Sequence, residues 1–296
     1  MRVLACLVLA ACGRVDFAAR FDARADGAPP PCTWSAFAAP QKLPAVVQSP
    51  VDDWYPTPTV GGTQLFFYSY RGTGFATIWH APTDPYDVAV EESELDSGTD
   101  LKFPTLTDDG LDLIYGGKPP LWQIFETTRA AISDMFAPAA QIPELASTNN
   151  DFAPWVSADG LRLVFSSDRG GTGSISAFET ARATRTSAFA APVELGELGL
   201  LSPDNAIFPG ATLSPDALDI WVTKLEVDGH YHIFTAHRAA IDQPFAAAVP
   251  VPELTSLTDD GGQRLSADGS TMFLNYDSVA GGGTNADLWS ATRTCD

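Results

Sequence analysis

The residues that could do chemistry in this 296-residue chain are a recurring set of carboxylates and a small set of histidines. His230 and His232 flank Tyr231, so on a strand both rings would project from one face and could begin a zinc site. No third ligand stands nearby, and His80 and His237 are isolated, so these read as strand or loop histidines and no metal is expected. The carboxylates recur at regular intervals as Asp53-Trp54, Asp100, Asp151-Phe152, Asp204 and Asp260, with Arg71, Lys118, Arg169 and Lys224 following them. Paired carboxylates are what glycoside hydrolysis requires, one as acid and one as nucleophile or base. A hydrolase should break its repeat at the catalytic positions, however, and these aspartates recur. Nucleophile-elbow, zincin and phosphate-loop patterns are absent, because the glycine runs lack the lysine and helix such loops need. No cofactor is expected.

Composition narrows the partners. The formal charge of −20 opposes nucleic acid and anionic membrane surfaces. It leaves a protein or peptide partner, with a cationic one favoured, or a neutral ligand such as a glycan. A monomer is expected.

The elements that position these residues come from internal repetition. GGTQLFFYSYRG (61–72), DGLDLIYGG (109–117), DGLRLVFSSDRGG (159–171), DALDIWVTK (216–224) and DGSTMFLNYD (268–277) are copies of one unit. Each opens on a turn, Asp-Gly in three copies, read as a two-residue hairpin with positive φ at both residues. Alternating apolar positions follow, as in Leu65 and Phe67 or Leu163 and Phe165, the mark of a half-buried strand. Pro56, Pro104, Pro154 and Pro209 precede four turns, and Gln263 takes that place in the fifth. A third strand ends in Ile78-Trp79, Ile124-Phe125, Ala177-Phe178, Ile233-Phe234 and Leu288-Trp289. Arg129, Arg182, Arg238 and Arg293 lie four residues beyond the aromatic in four copies. A fourth strand carries the FAPAAQIPEL pattern. Four strands per unit, repeating every 48 to 57 residues, predict an all-β five-bladed β-propeller. The fifth copy lacks its fourth strand, and SAFAAPQKLPAV (35–46) supplies it from the amino-terminal end. The ring should therefore close at that seam. In this register Cys32 and Cys295 both fall two residues beyond Arg293, and a disulfide between them is expected, two unpaired thiols being the alternative.

The segment PWVSADGLRLVFSSDRGGTGSI (154–175) resembles the repeat of TolB-like propellers, of the WD40-like kind. That resemblance covers residues 50–296 and implies the propeller fold and a protein-binding role. SADGST (266–271) is similar to a sialidase Asp-box but lacks the residue between Asp and Gly, so Asp108, Asp109 and their counterparts read as turn formers. At the start of the chain, an Arg followed by the apolar stretch Val3–Ala11 has the make-up of an export signal. LAAC (9–12) resembles the lipobox of bacterial lipoproteins, which implies cleavage before Cys12, lipidation of Cys12 and, with Gly13 following, outer-membrane sorting. The expected organisation is a signal peptide at 1–11, a lipid-anchored tether at 12–31 and a propeller at 32–296. The protein would sit in the cell envelope, touching membrane through the lipid alone. The loop-side residues Asp53, Trp54, Asp100, Asp151, Phe152, Asp204, Asp260, Arg71 and Arg169 are the expected partner-binding mouth. Compensating cations look scarcest beside Asp53 and Asp260, with Trp54 as an aromatic platform.

Overall fold

A computed structural model describes residues 33–59, 62–72, 74–171, 173–203, 209–277 and 286–295. The expected signal peptide and tether, with Cys12, Cys32 and Asp204, lie outside the described residues. Twenty strands form five antiparallel four-stranded sheets. Blade one holds β2 (Asp53–Pro58), β3 (Gln64–Ser69), β4 (Thr77–Pro82) and β5 (Val90–Glu91). Blade two holds β6 (Leu101–Leu106), β7 (Asp112–Gly117), β8 (Gln123–Thr128) and β9 (Ala140–Gln141). Blade three is β10 (Asp151–Val156), β11 (Arg162–Ser167), β12 (Ser176–Ala181) and β13 (Val193–Glu194). Blade four is β14 (Ala211–Leu213), β15 (Asp219–Leu225), β16 (Tyr231–His237) and β17 (Val249–Pro250). Blade five combines β18 (Asp260–Leu265), β19 (Thr271–Asp277) and β20 (Ala286–Thr292) with the amino-terminal β1 (Gln41–Lys42). The first strands of the blades touch in cyclic order, which closes the ring. The seam strand falls where the repeat placed it: Gln41 faces Ser290, and Trp34 bridges to Cys295.

The seam register has a second witness. Phe136, Phe189 and Phe245, which open the Phe-Ala segment before each fourth strand, lie under the guanidinium groups of Arg129, Arg182 and Arg238 respectively, at 4.5, 4.4 and 4.4 Å. Phe37 lies under Arg293 in the same way, at 4.8 Å. The arginine Nε donates to the turn carbonyl of its own blade, Gly110, Gly160, Ala217 or Gly269, at 2.8 Å each time. Terminal nitrogens reach the preceding blade, as Arg182 does to Glu126 and Arg238 to Glu179. One side chain thus ties a turn, the outer edge of its blade and the neighbouring blade.

The turns correct the two-residue expectation. Gly110, Gly160 and Gly269 have positive φ, but the preceding Asp does not. The loops span four residues, Thr107 N–H donating to Asp112 O and Gly110 N–H to Thr107 O. The Asp acts through its side chain: Asp109 accepts from Thr107 Oγ1 and Leu111 N–H, a pattern repeated at Asp159, Asp216 and Asp268.

Four of the five innermost strands, all but β14, carry a bulge among the described residues. Tyr55, Phe103, Ala153 and Gly262 occupy the same register position with φ of 58°, 59°, 49° and 59°. A left-handed non-glycine residue costs on the order of 1 kcal/mol, offset here by burial of the Tyr55 and Phe103 rings near the axis. Tyr55 meets Phe103 edge-on at 4.9 Å, and Phe103 lies 6.2 Å from Phe152. An aromatic plug therefore fills the axis on the side of the loops that lead into the blades.

Candidate functional site

Two faces meet the axis. The loop face carries the connections into strand one and between strands two and three; the hairpin face carries the turns between strands one and two.

On the loop face, register separates the expected aspartates. Asp53, Asp151 and Asp260 are equivalent, each opening its first strand three residues before the Pro or Gln position. Leu101 holds that position in blade two, so Asp100 lies one residue earlier and does a different job. The three equivalent carboxylates are buried, at 0%, 0% and 2% exposure. Asp53 accepts from Arg71 Nη2 at 2.6 Å and Ser49 N–H at 2.8 Å. Asp151 accepts from Ser167 Oγ, Ser147 Oγ and Arg169 Nη2, at 2.6, 2.7 and 2.7 Å. Asp260 pairs with His232 Nδ1 at 2.7 Å and accepts from Ser256 N–H. Burial raises the carboxyl groups of Asp53 and Asp260 above the ordinary range, and their donors offset part of that. The expected shortage of cations beside Asp53 and Asp260 is corrected by this geometry. Arg71 serves the first and His232, contributed by blade four, serves the second. His230 pairs with Asp259 and His232 also meets Asp228, and no group of metal-holding side chains occurs among the described residues.

Asp100 belongs to a second series that spacing alone did not distinguish. Asp52, Asp100, Asn150 and Asp259 each accept from the backbone N–H at the start of the third strand of the preceding blade: Ala286, Ala76, Trp122 and Tyr231. The signal was the Asp-Asp and Asn-Asp doublets at 52–53, 259–260 and 150–151, where two acceptors serve two neighbours.

Trp54 is half-buried against the core, and Phe152 is buried. The aromatic faces nearby already hold cations of this chain. Lys102 lies 5.1 Å from the ring of Tyr70 and 5.2 Å from that of Trp122, and Lys118 lies 5.6 Å from Trp122. Of the strand tryptophans, Trp221 is buried, while Trp79 and Trp289 are half-buried between blades.

The hairpin face has a cavity of about 310 Å³ at the end of the axis, lined by Trp155, Leu213, Ile241, Leu265, Asp108 and Arg264. Arg264 is 1% exposed. Its Nη1 donates to Ala211 O and Gln263 O, and its Nη2 to Pro154 O at 2.8 Å. Its guanidinium lies 5.1 Å from the Tyr55 ring, beneath the aromatic plug. Gln263, in the proline position, donates to Gly210 O at 2.8 Å and accepts from Thr223 Oγ1. Sequence reasoning passed over Arg264 and read Asp108 as a turn former; the available signal was their departure from the repeat.

No protein-family model matches this sequence, and comparison with curated proteins gives no match. Solved structures do match. TolB from Acinetobacter baumannii aligns with a TM-score of 0.52 at 15% identity, covering 84% of this chain and 56% of that one. The fold is a five-bladed β-propeller, similar to that of TolB. The chain spans a little over half the length of that TolB. The propeller is also similar to an alpha-L-arabinofuranosidase from Podospora anserina in complex with cellotriose, with a TM-score of 0.57 at 12% identity, covering 89% and 97% of the two chains. A thermostable family-43 glycoside hydrolase gives 0.56 at 13%, covering 84% and 92%. At these identities the likeness is one of fold.

Proposed function

We propose that this chain is a non-catalytic propeller that presents a protein- or peptide-binding surface in the bacterial cell envelope, held there by a lipid on Cys12. The observation that carries the reading is the state of Asp53, Asp151 and Asp260. A glycosidase of this shape needs two carboxylates facing a substrate, one to protonate the leaving oxygen and one to attack or activate water. The three axial aspartates are sealed and committed to Arg71, Arg169 and His232, so neither role is open to them. The apolar stretch ending in LAAC supports the anchor, and the recurrence of the blade-tying arginine in four of five copies supports a scaffold rather than a site dispersed among the repeats. The alternative, a glycoside hydrolase or glycan-binding propeller, is favoured by its fold likeness to arabinofuranosidase and family-43 structures.

Crosslinking in the native cell, followed by mass spectrometry of co-purifying proteins, tests the reading. The expected outcome is a reproducible envelope partner, with Cys12→Ser shifting the protein from the membrane to the soluble fraction. Release of arabinose or xylose from arabinosyl and xylosyl substrates by the purified protein would replace it with the hydrolase alternative.

A further inference from the structure

In a repeat fold, residues that only hold the blades together recur, and a departure at a recurring position needs its own explanation. Three departures meet at one place. The residue after the Pro or Gln position is Thr57, Thr105, Trp155, Gly210 and Arg264 through the five blades. The two threonines brace neighbouring strands, Thr57 Oγ1 donating to Pro104 O and Thr105 Oγ1 accepting from Val156 N–H. Arg264 braces neighbouring strands with a charged group instead, donating to Pro154 O and Ala211 O, and Trp155 replaces the hydroxyl with an indole; both line the axial cavity of the hairpin face, beside the threonines. The second residue of the hairpin is Asp108 in blade two but Ala158, Pro215 and Ala267 in blades three, four and five. Asp108 lines the same cavity.

The electrostatics of the cavity are unbalanced along its depth. Arg264 donates to backbone carbonyls, and among the described residues it forms no ion pair and its Nε has no hydrogen-bond partner. Burial lowers its pKa to about 10, so the charge survives at neutral pH. A buried cation without a carboxylate is a costly arrangement that an anion placed above it would relieve. The rim is acidic apart from Arg162, which also lines the cavity and is paired with Glu179. Asp108 has a buried Oδ1 without a partner, and Asp159 and Asp216 line the same opening. Burial and the neighbouring Asp109 raise the Asp108 carboxyl above its ordinary range, which a cation nearby would reverse. Between rim and floor the wall is apolar: the Trp155 indole, Leu213, Ile241 and Leu265. The volume matches the small end of ligand pockets.

We propose that this cavity binds a small ammonium carboxylate with an apolar body, the chemistry shared by a free amino acid and a short peptide. The carboxylate points toward Arg264, the apolar body packs on Trp155, and the ammonium group meets Asp108 at the rim. This site goes beyond the scaffold reading and is independent of whether a macromolecular partner binds the propeller.

Isothermal titration of the folded protein against the free amino acids and a set of dipeptides tests it, with amidated and N-acetylated derivatives as controls. One-to-one saturation is expected, weakened about tenfold or more by amidation, which removes the carboxylate, and by acetylation, which removes the ammonium. Saturation by amino acids but not dipeptides identifies a free amino acid as the source; the reverse identifies a peptide. Asp108→Ala installs the residue that blades three and five carry at this position, so the fold should hold and affinity for the free ligand should fall. Because the acetylated form has no ammonium group, its affinity should not change in that variant. Absence of binding across the panel, equal binding of free and blocked forms, undiminished affinity in Asp108→Ala, or saturation by arabinose or xylose alone would each overturn the proposal.

Discussion

At the scale of single residues, burial decides which charges are available. His232 is 6% exposed and sits between Asp260 at 2.7 Å and Asp228 at 3.0 Å. Burial alone would lower its pKa, but the two carboxylates prevail and hold it above its ordinary 6.5. A histidine raised in the folded state contributes stability that is complete below 6.5 and is lost as pH climbs through the raised value. The melting temperature should therefore fall by a few degrees as pH rises from 6.5 through the raised value. His232→Gln should remove that slope and start from a lower melting temperature at pH 6. Calorimetry across this range checks it, and a slope persisting in His232→Gln would assign the effect to another group.

At the scale of elements, adjoining blades are joined by charged clamps at their outer edges. Glu179 on β12 meets Arg162 of its own blade and Arg238 of blade four, the latter at 2.9 and 3.0 Å. Burial pushes the Glu179 carboxyl up, yet the two arginines outweigh it and hold it below its usual 4.5. Its contribution is present at neutral pH and is lost as pH falls through the lowered value. Glu179→Gln leaves two nearly buried guanidinium groups without their anion, at a cost of about 3 kcal/mol by the measure of broken buried pairs. Chemical denaturation at pH 7 should show that loss, and the difference from wild type should shrink as pH falls from 4.5 through the lowered value. A variant within 0.5 kcal/mol of wild type, the usual spread of surface substitutions at about that size, would make the clamp incidental.

The whole molecule depends on its seam. β1 pairs with β20, Ser35 N–H donates to Thr294 O and Ala38 N–H to Thr292 O, so the ring is closed by a few bonds and by Phe37 under Arg293. A two-residue strand is a weak closure for a sheet that would otherwise expose an edge. We propose that a Cys32–Cys295 disulfide reinforces it; Trp34, two residues from Cys32, bridges to Cys295. On the chain-entropy argument, a loop this long adds about 4–5 kcal/mol. Replacing both cysteines with Ser should lower the melting temperature under oxidising conditions and leave it unchanged under reducing ones. Two reactive thiols in the oxidised mature protein would refute the bridge.

What the sequence by itself determined was everything that repeats. Four strands per unit, five units and the borrowed closing strand were legible because each blade must bury the same faces, so the same residue types return at the same intervals. The recurring Phe-Ala pair and the recurring arginine were visible as a pattern, and the structure supplied the reason: the ring of one lies under the guanidinium of the other. What only the tertiary structure decided was the direction of each polar group. Spacing placed Asp53, Asp100, Asp151 and Asp260 in one series. A one-residue offset in β6 makes Asp100 a backbone staple, and three-dimensional partners such as His232, 28 residues from Asp260, turn the others inward. Spacing likewise gave no weight to Asp108, Trp155 and Arg264. They stand on different blades, 47 and 109 residues apart along the chain, and only closure of the ring brings them to one cavity.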